Sequence, residues 1–195
     1  MKPPRRTSTT SPVVTHLLAQ DVILVNGGSV VNLMALWKAH RLPPILHECW
    51  DAGVVLAGWS AGSLCWHAGG PTDSYRDQLD PFLDGLGLLP YSNGVHDDFP
   101  GQPRRRVYRT MVADGTLPAG YASEDGVGLH YVGTELHEAV TVRPDAAAWP
   151  EWARVRDRWR VPGRLVHDDA ASIVAREYAT LLSVGQLSPP ASRLP

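Results

Sequence analysis

Gly53-Val54-Val55-Leu56-Ala57-Gly58-Trp59-Ser60-Ala61-Gly62-Ser63-Leu64-Cys65-Trp66-His67 is the stretch that decides the fold. Its first five residues form a short apolar, β-branched run that reads as a buried strand. Ser63 to His67 reads as the first turns of a helix. Between them lies G-x-S-x-G, and strand, G-x-S-x-G, helix is the setting of a nucleophile elbow. Glycine on either side of Ser60 lets the backbone turn sharply, because a Cβ there would crowd the neighbouring strand or helix. The turn lifts the Ser60 hydroxyl off the sheet and aims the amides that follow at the place where an oxyanion forms. Taken alone, the motif is as readily a Gly-Ser turn entering a helix. The strand before it and the helix after it favour the nucleophile.

Upstream, Asp21-Val22-Ile23-Leu24-Val25 reads as a second buried strand, ending in Asn26-Gly27-Gly28-Ser29. Val31 to His40 has helical spacing, with Leu33, Leu36 and Trp37 on one stripe, and Pro44 to Trp50 reads as another helix. Alternating strands and helices predict an α/β fold with a mainly parallel sheet and right-handed crossovers. Downstream, Ala68 to Pro90 is rich in Gly, Pro and Asp and reads as a long loop beside Ser60. Asn93-Gly94-Val95-His96 reads as the end of a short strand, and Gln102 to Gly115 as a helix. Val127 to Val132 and Leu136 to Val142 read as strands joined by Gly133-Thr134 into a hairpin. Helices are expected at Trp149 to Trp159 and Ala170 to Leu182. The Pro/Ser-rich ends, 1–12 and 187–195, read as disordered tails around one α/β domain at 13–186.

The 195 residues are 44% hydrophobic and carry a net charge of −2, which suits a cored domain and speaks against nucleic-acid or anionic-membrane partners. No apolar signal core follows the basic Met1–Arg6, and no stretch approaches the roughly 18 apolar residues of a membrane span. Cys49 and Cys65 fall among apolar residues and read as buried, reduced thiols of a cytoplasmic protein. There is no H-E-x-x-H, the cysteines lack paired ligand spacing, and Gly27-Gly28 is not a dinucleotide fingerprint. Neither metal nor cofactor is expected.

A serine nucleophile needs a base, usually oriented by a carboxylate. His40, His47 and His67 sit on expected helices, His130 and His137 in the hairpin, and His16 and His167 near the ends. His96 differs, closing a strand and opening an acidic loop, where catalytic groups on α/β sheets gather. The carboxylates of Ser123-Glu124-Asp125-Gly126 follow it. An ordinary α/β-hydrolase places its acid between serine and histidine; here the histidine comes first.

These features together resemble the peptidase E (α-aspartyl dipeptidase) family, serine peptidases related to cyanophycinase. The resemblance rests on Asn26-Gly27-Gly28-Ser29 after a strand, Gly58-Trp59-Ser60-Ala61-Gly62-Ser63, and His96 before an acidic loop. Thr72-Asp73-Ser74, Gly85-Leu86-Gly87-Leu88-Leu89-Pro90 and Gly120-Tyr121-Ala122-Ser123-Glu124-Asp125-Gly126 extend it from about Val22 to Val142. It implies a flavodoxin-like α/β fold similar to class I glutamine amidotransferases. It also implies Ser60 as nucleophile, His96 as base and Asp125 as acid, with Glu124 the alternative acid, and an oxyanion hole from the N–H groups of Gly28 and Ala61. The implied substrates are short peptides, in the narrower case dipeptides with an N-terminal aspartate. Arg104 and Arg105, followed by Arg106, are the candidate clamp for such a carboxylate.

The sequence departs from the family at Ser29, where asparagine is usual, and at His96-Asp97, where His-Tyr is frequent. Family members also carry a strand–helix–strand region before the Val22 strand that residues 1–20 are too few to supply. A shortened sheet with an exposed edge is therefore expected, in a monomer or homodimer. Two other readings stay open. One is an esterase or amidase using His130, His137 or His167; the other is an inactive homologue serving as a binding module.

Overall fold

The computed structural model describes residues 12–151 and 161–165. Helix α1 (Pro12–Leu18) leads into β1 (Val22–Val25), α2 (Val30–Ala39), α3 (Leu42–Asp51) and β2 (Val55–Gly58). The short α4 (Ala61–Leu64) turns the chain into β3 (His67–Thr72), β4 (Asp80–Phe82) and β5 (Leu89–Gly94). Then come α5 (Arg104–Ala113), β6 (Gly120–Ser123), β7 (Val127–Val132), β8 (Glu135–Thr141), β9 (Ala147–Glu151) and β10 (Val161–Leu165).

Parallel pairing forms the centre of this α/β fold. β1 runs parallel to β2 with Val25 opposite Gly58, and β3, β5 and β6 run parallel in that order. Antiparallel strands extend the larger sheet: β4 on β3, β9 on β6, and the β7–β8 hairpin beyond β10. Helix α4 packs against β1, β2, β3 and β5 and so joins the two sheets. Asn93 on β5 donates its side-chain amide to Ser63 Oγ at 2.8 Å, tying α4 to the strand that leads to His96.

The main core gathers Val30, Met34 and Trp37 of α2, Leu46 of α3, Leu56, Leu64, Trp66, Leu89, Leu129 and Tyr131. Trp37 and Trp66 meet with ring centroids 5.5 Å apart. Ser29 caps α2 by accepting from the Asn32 amide at 3.2 Å, which uses one of the donors a helix start leaves unpaired. Ser29 thus does the work of an N-cap. Val22 and Leu24 of β1 stay about half exposed, and β2 is the strand's one partner among the described residues. Among the described residues no helix is long and apolar enough to cross a membrane.

Three expectations need correction. The presumed loop from Ala68 to Pro90 contains most of β3, all of β4 and the start of β5. Its glycines let backbones pack: a Cβ on Gly69 would lie 2.1 Å from Phe82 O, and one on Gly70 2.1 Å from Asn93 O. The helix expected through His67 stops at Leu64, because the chain must enter β3 at His67. The helix expected from Trp149 begins instead as strand β9, whose Trp149 lies opposite Ala122 of β6. The helix expected at Ala170 to Leu182 and the tail at 187–195 lie outside the described residues.

Candidate active site

Ser60 follows directly on β2 with φ 55° and ψ −120°, a conformation that L-residues avoid. Three non-glycine residues have positive φ among the described residues, and Ser60 and His96 (φ 58°) are two of them. Strain of this kind costs on the order of 1–3 kcal/mol and persists only where the surroundings impose it. Here the imposition is visible. A Cβ on Gly58 would sit 2.1 Å from Gly62 O, and one on Gly62 2.1 Å from Val25 O. The elbow therefore closes so tightly on β1 that only glycine fits on either side of the serine.

Gly27 packs against the serine itself, since a Cβ there would lie 3.1 Å from Ser60 Cβ. Gly28, by contrast, has open space where its Cβ would be, and its φ of +131° is what demands glycine. The Ala61 N–H opens α4, so it has no acceptor within the helix.

His96 lies two residues beyond β5, and Glu124 and Asp125 directly beyond β6, so the parallel pairing of these strands brings both loops to one sheet end. The His96 and Asp125 side chains meet at 2.5 Å between Nδ1 and Oδ1. Because a carboxylate only accepts, Nδ1–H is the donor and Nε2 is left as the basic nitrogen. Ser60, Val95, His96, Ser123, Glu124, Asp125, Gly126 and Val127 line one narrow pocket. His130 and His137 do not line it, and His167 lies outside the described residues.

The two carboxylates beyond β6 have different surroundings. Glu124 accepts from the Ala147 amide at 2.9 Å, Trp149 Nε1 at 3.0 Å and Arg105 at 2.7 Å, so its oxygens are spent on holding β9 and α5. Asp125 keeps its side chain for His96, while its backbone is gripped by groups that the motifs did not indicate. Its N–H donates to Asp98 Oδ1 at 2.7 Å, and its C=O accepts from Arg143 at 3.1 Å. Arg143 also donates to Asp98 Oδ2 at 2.9 Å. Burial pushes the Asp98 carboxyl up, but the Asp125 amide and the Arg143 guanidinium outweigh it and hold the group below the usual range. Asp98 lies in the acidic loop that His96 opens, but no motif singles it out, and no sequence pattern marks Arg143.

Arg104 and Arg105 are both engaged by protein carboxylates. Arg104 is buried and donates to Asp73 at 2.9 Å. Arg105 donates to Asp97 and to Glu124, each at 2.7 Å, with its guanidinium 5.9 Å from the Trp149 ring centre. Since Asp97 adjoins His96 and Glu124 adjoins Asp125, Arg105 fastens together the two loops that carry the histidine and the acid. Beside this network lies an open groove of about 580 Å³ lined by Asp97, Phe99, Arg105, Arg106 and Arg109 among others. Arg109 pairs with Glu151 at 3.4 Å, and exposed Arg106 has no carboxylate partner among the described residues.

The sequence profile of "Peptidase family S51" matches residues 4–139. The chain belongs to this peptidase family. A relative in Bacillus subtilis (strain 168), named "Uncharacterized peptidase YgaJ", is 39% identical over 148 residues, which is 76% of this chain. The S51 chain spans 61% of the length of that relative. Membership bears out the resemblance to peptidase E and the flavodoxin-like α/β fold it implies.

Proposed function

We propose that this S51 chain is a serine-type peptidase acting on short peptides through Ser60, His96 and Asp125. The observation that carries the reading is one pocket holding a strained elbow serine beside a histidine hydrogen-bonded to an acid. Ser60 Oγ attacks the scissile carbonyl carbon while His96 Nε2 takes the hydroxyl proton. Negative charge then develops on the carbonyl oxygen, where the N–H groups of Gly28 and Ala61 receive it. His96 passes its proton to the departing amine, and the C–N bond breaks to leave an acyl group on Ser60. Water, deprotonated by His96, releases that acyl group as the acid product.

Asp125 fixes the tautomer and orientation of His96 throughout. Glu124 is the weaker candidate for this role because its oxygens are already committed to Ala147, Trp149 and Arg105. The narrower reading is a preference for N-terminal aspartate. With Arg104 and Arg105 neutralised internally, exposed Arg106 on the adjoining groove is the arginine left to meet a substrate carboxylate.

The test is hydrolysis of a panel of dipeptides and tripeptides, with and without N-terminal aspartate, across pH. The proposal expects turnover that rises with pH through one ionisation, and loss of both turnover and that ionisation in His96→Gln. No hydrolysis of any member of the panel, or an unchanged profile in His96→Gln, would overturn it.

A further inference from the structure

The far end of the β7–β8 hairpin carries a second cluster of chemically able side chains. His130 lies opposite Glu138 in the ladder, and the next pair is Tyr131 with Leu136, so His137 is an extra residue on β8. In an unbroken strand His137 and Glu138 would point to opposite faces. The bulge cancels that alternation and sets two consecutive side chains against one on the partner strand. As a result one ligand atom each from His130, His137 and Glu138 lies within 4.8 Å of the others. The imidazole rings stand 5.3 Å apart at 78°, close to edge-on.

From this arrangement we infer that His130, His137 and Glu138 form a binding site for a divalent cation of the zinc class. Two imidazoles and a carboxylate suit a borderline ion, and three protein ligands leave a fourth position for water. Bond lengths of about 2.0–2.2 Å place tetrahedral ligands about 3.3–3.5 Å apart, so the cluster must contract by roughly 1 Å. His130 Nδ1 and Glu138 Oε1 already stand at 3.5 Å. The remaining movement falls to His137, whose side chain is exposed.

The surroundings of the cluster support the site. Arg164 of β10 grips Glu138 with two hydrogen bonds, Nε to Oε2 at 2.7 Å and Nη2 to Oε1 at 3.0 Å. A ligating carboxylate is commonly held in this way by an outer partner, and each carboxylate oxygen keeps a second lone pair for a metal. Occupation would staple β7 to β8 and, through Arg164, to β10. His130 and His137 are absent from the Ser60 pocket, so the site is independent of the proposed hydrolysis.

The experiment uses the full chain without a polyhistidine tag, titrated with zinc alone and, for spectroscopy, with cobalt(II). The inference expects one ion per chain, a raised melting temperature, and the visible absorption of a nitrogen- and oxygen-ligated cobalt centre. His137→Ala changes only an exposed side chain and should fold, yet should weaken zinc binding by at least about 10-fold. Glu138→Gln, which keeps the shape of the ligand, should do the same. No binding at submillimolar zinc would overturn the inference, as would binding that both variants leave unchanged, since the ion would then sit elsewhere.

Discussion

Ser60 concentrates the backbone cost of the proposed site in one conformation. Its φ of 55° and ψ of −120° suit glycine better than any residue with a Cβ. Glycine usually destabilises a fixed position by roughly 0.5–1 kcal/mol relative to alanine. At Ser60 the sign should reverse, and Ser60→Gly should melt at or above Ser60→Ala in parallel thermal scans. A clearly lower midpoint for the glycine variant would mean that the elbow is not strained.

His67 offers a second test at this scale. It is fully buried on β3 and donates from Nδ1 to Ser63 O at 3.0 Å. Burial pulls its pKa down to about 4, against which the Ser63 carbonyl pulls only weakly upward. The unfolded chain, with an ordinary histidine near 6.5, therefore binds a proton that the folded chain refuses. Stability is full above about pH 6.5 and falls as pH drops toward 4, by up to about 1.4 kcal/mol per pH unit from this group. Denaturant melts at several pH values should show that slope, and His67→Gln should flatten it.

Among the elements, the loops after β5 and β6 act as a pair, and α5 is their clamp. Arg105 reaches Asp97 in one loop and Glu124 in the other. Removing it should let His96 and Asp125 drift apart, and misplacement of about 1 Å can cost up to about 100-fold in rate. Arg105→Gln should thus lower kcat by roughly 10-fold or more while leaving KM nearly unchanged. A raised KM with kcat intact would instead assign Arg105 to the substrate, the role that its position in the sequence first suggested.

At the scale of the whole molecule, regular periodicity was legible and close backbone packing was not. Helices α2, α3 and α5 and the β7–β8 hairpin follow from apolar spacing and from the Gly133-Thr134 turn, and all stand within a few residues of expectation. Strand β3 escaped because His67-Ala68-Gly69-Gly70-Pro71-Thr72 has the composition of a loop. Its glycines are there to let the backbones of β4 and β5 approach. Strand β9 escaped because its place beside β6 depends on pairing across more than twenty residues of sequence.

The same division holds for function. Ser60 and His96 are candidates from local signatures, a glycine-flanked turn and a strand-end loop, and Asp125 is one through the resemblance to peptidase E; all three keep those roles only in the proposed function. The grip of Asp98 and Arg143 on Asp125, the packing of Gly27 on Ser60 and the grouping of His130 with His137 and Glu138 exist only once distant segments meet. The central claim is that Ser60 is the nucleophile, and turnover of short peptides by Ser60→Ala is its most direct measurement. The account predicts a loss of kcat on the order of 10⁴–10⁶ with the melting temperature kept or raised. Turnover equal to that of the unaltered chain would contradict it.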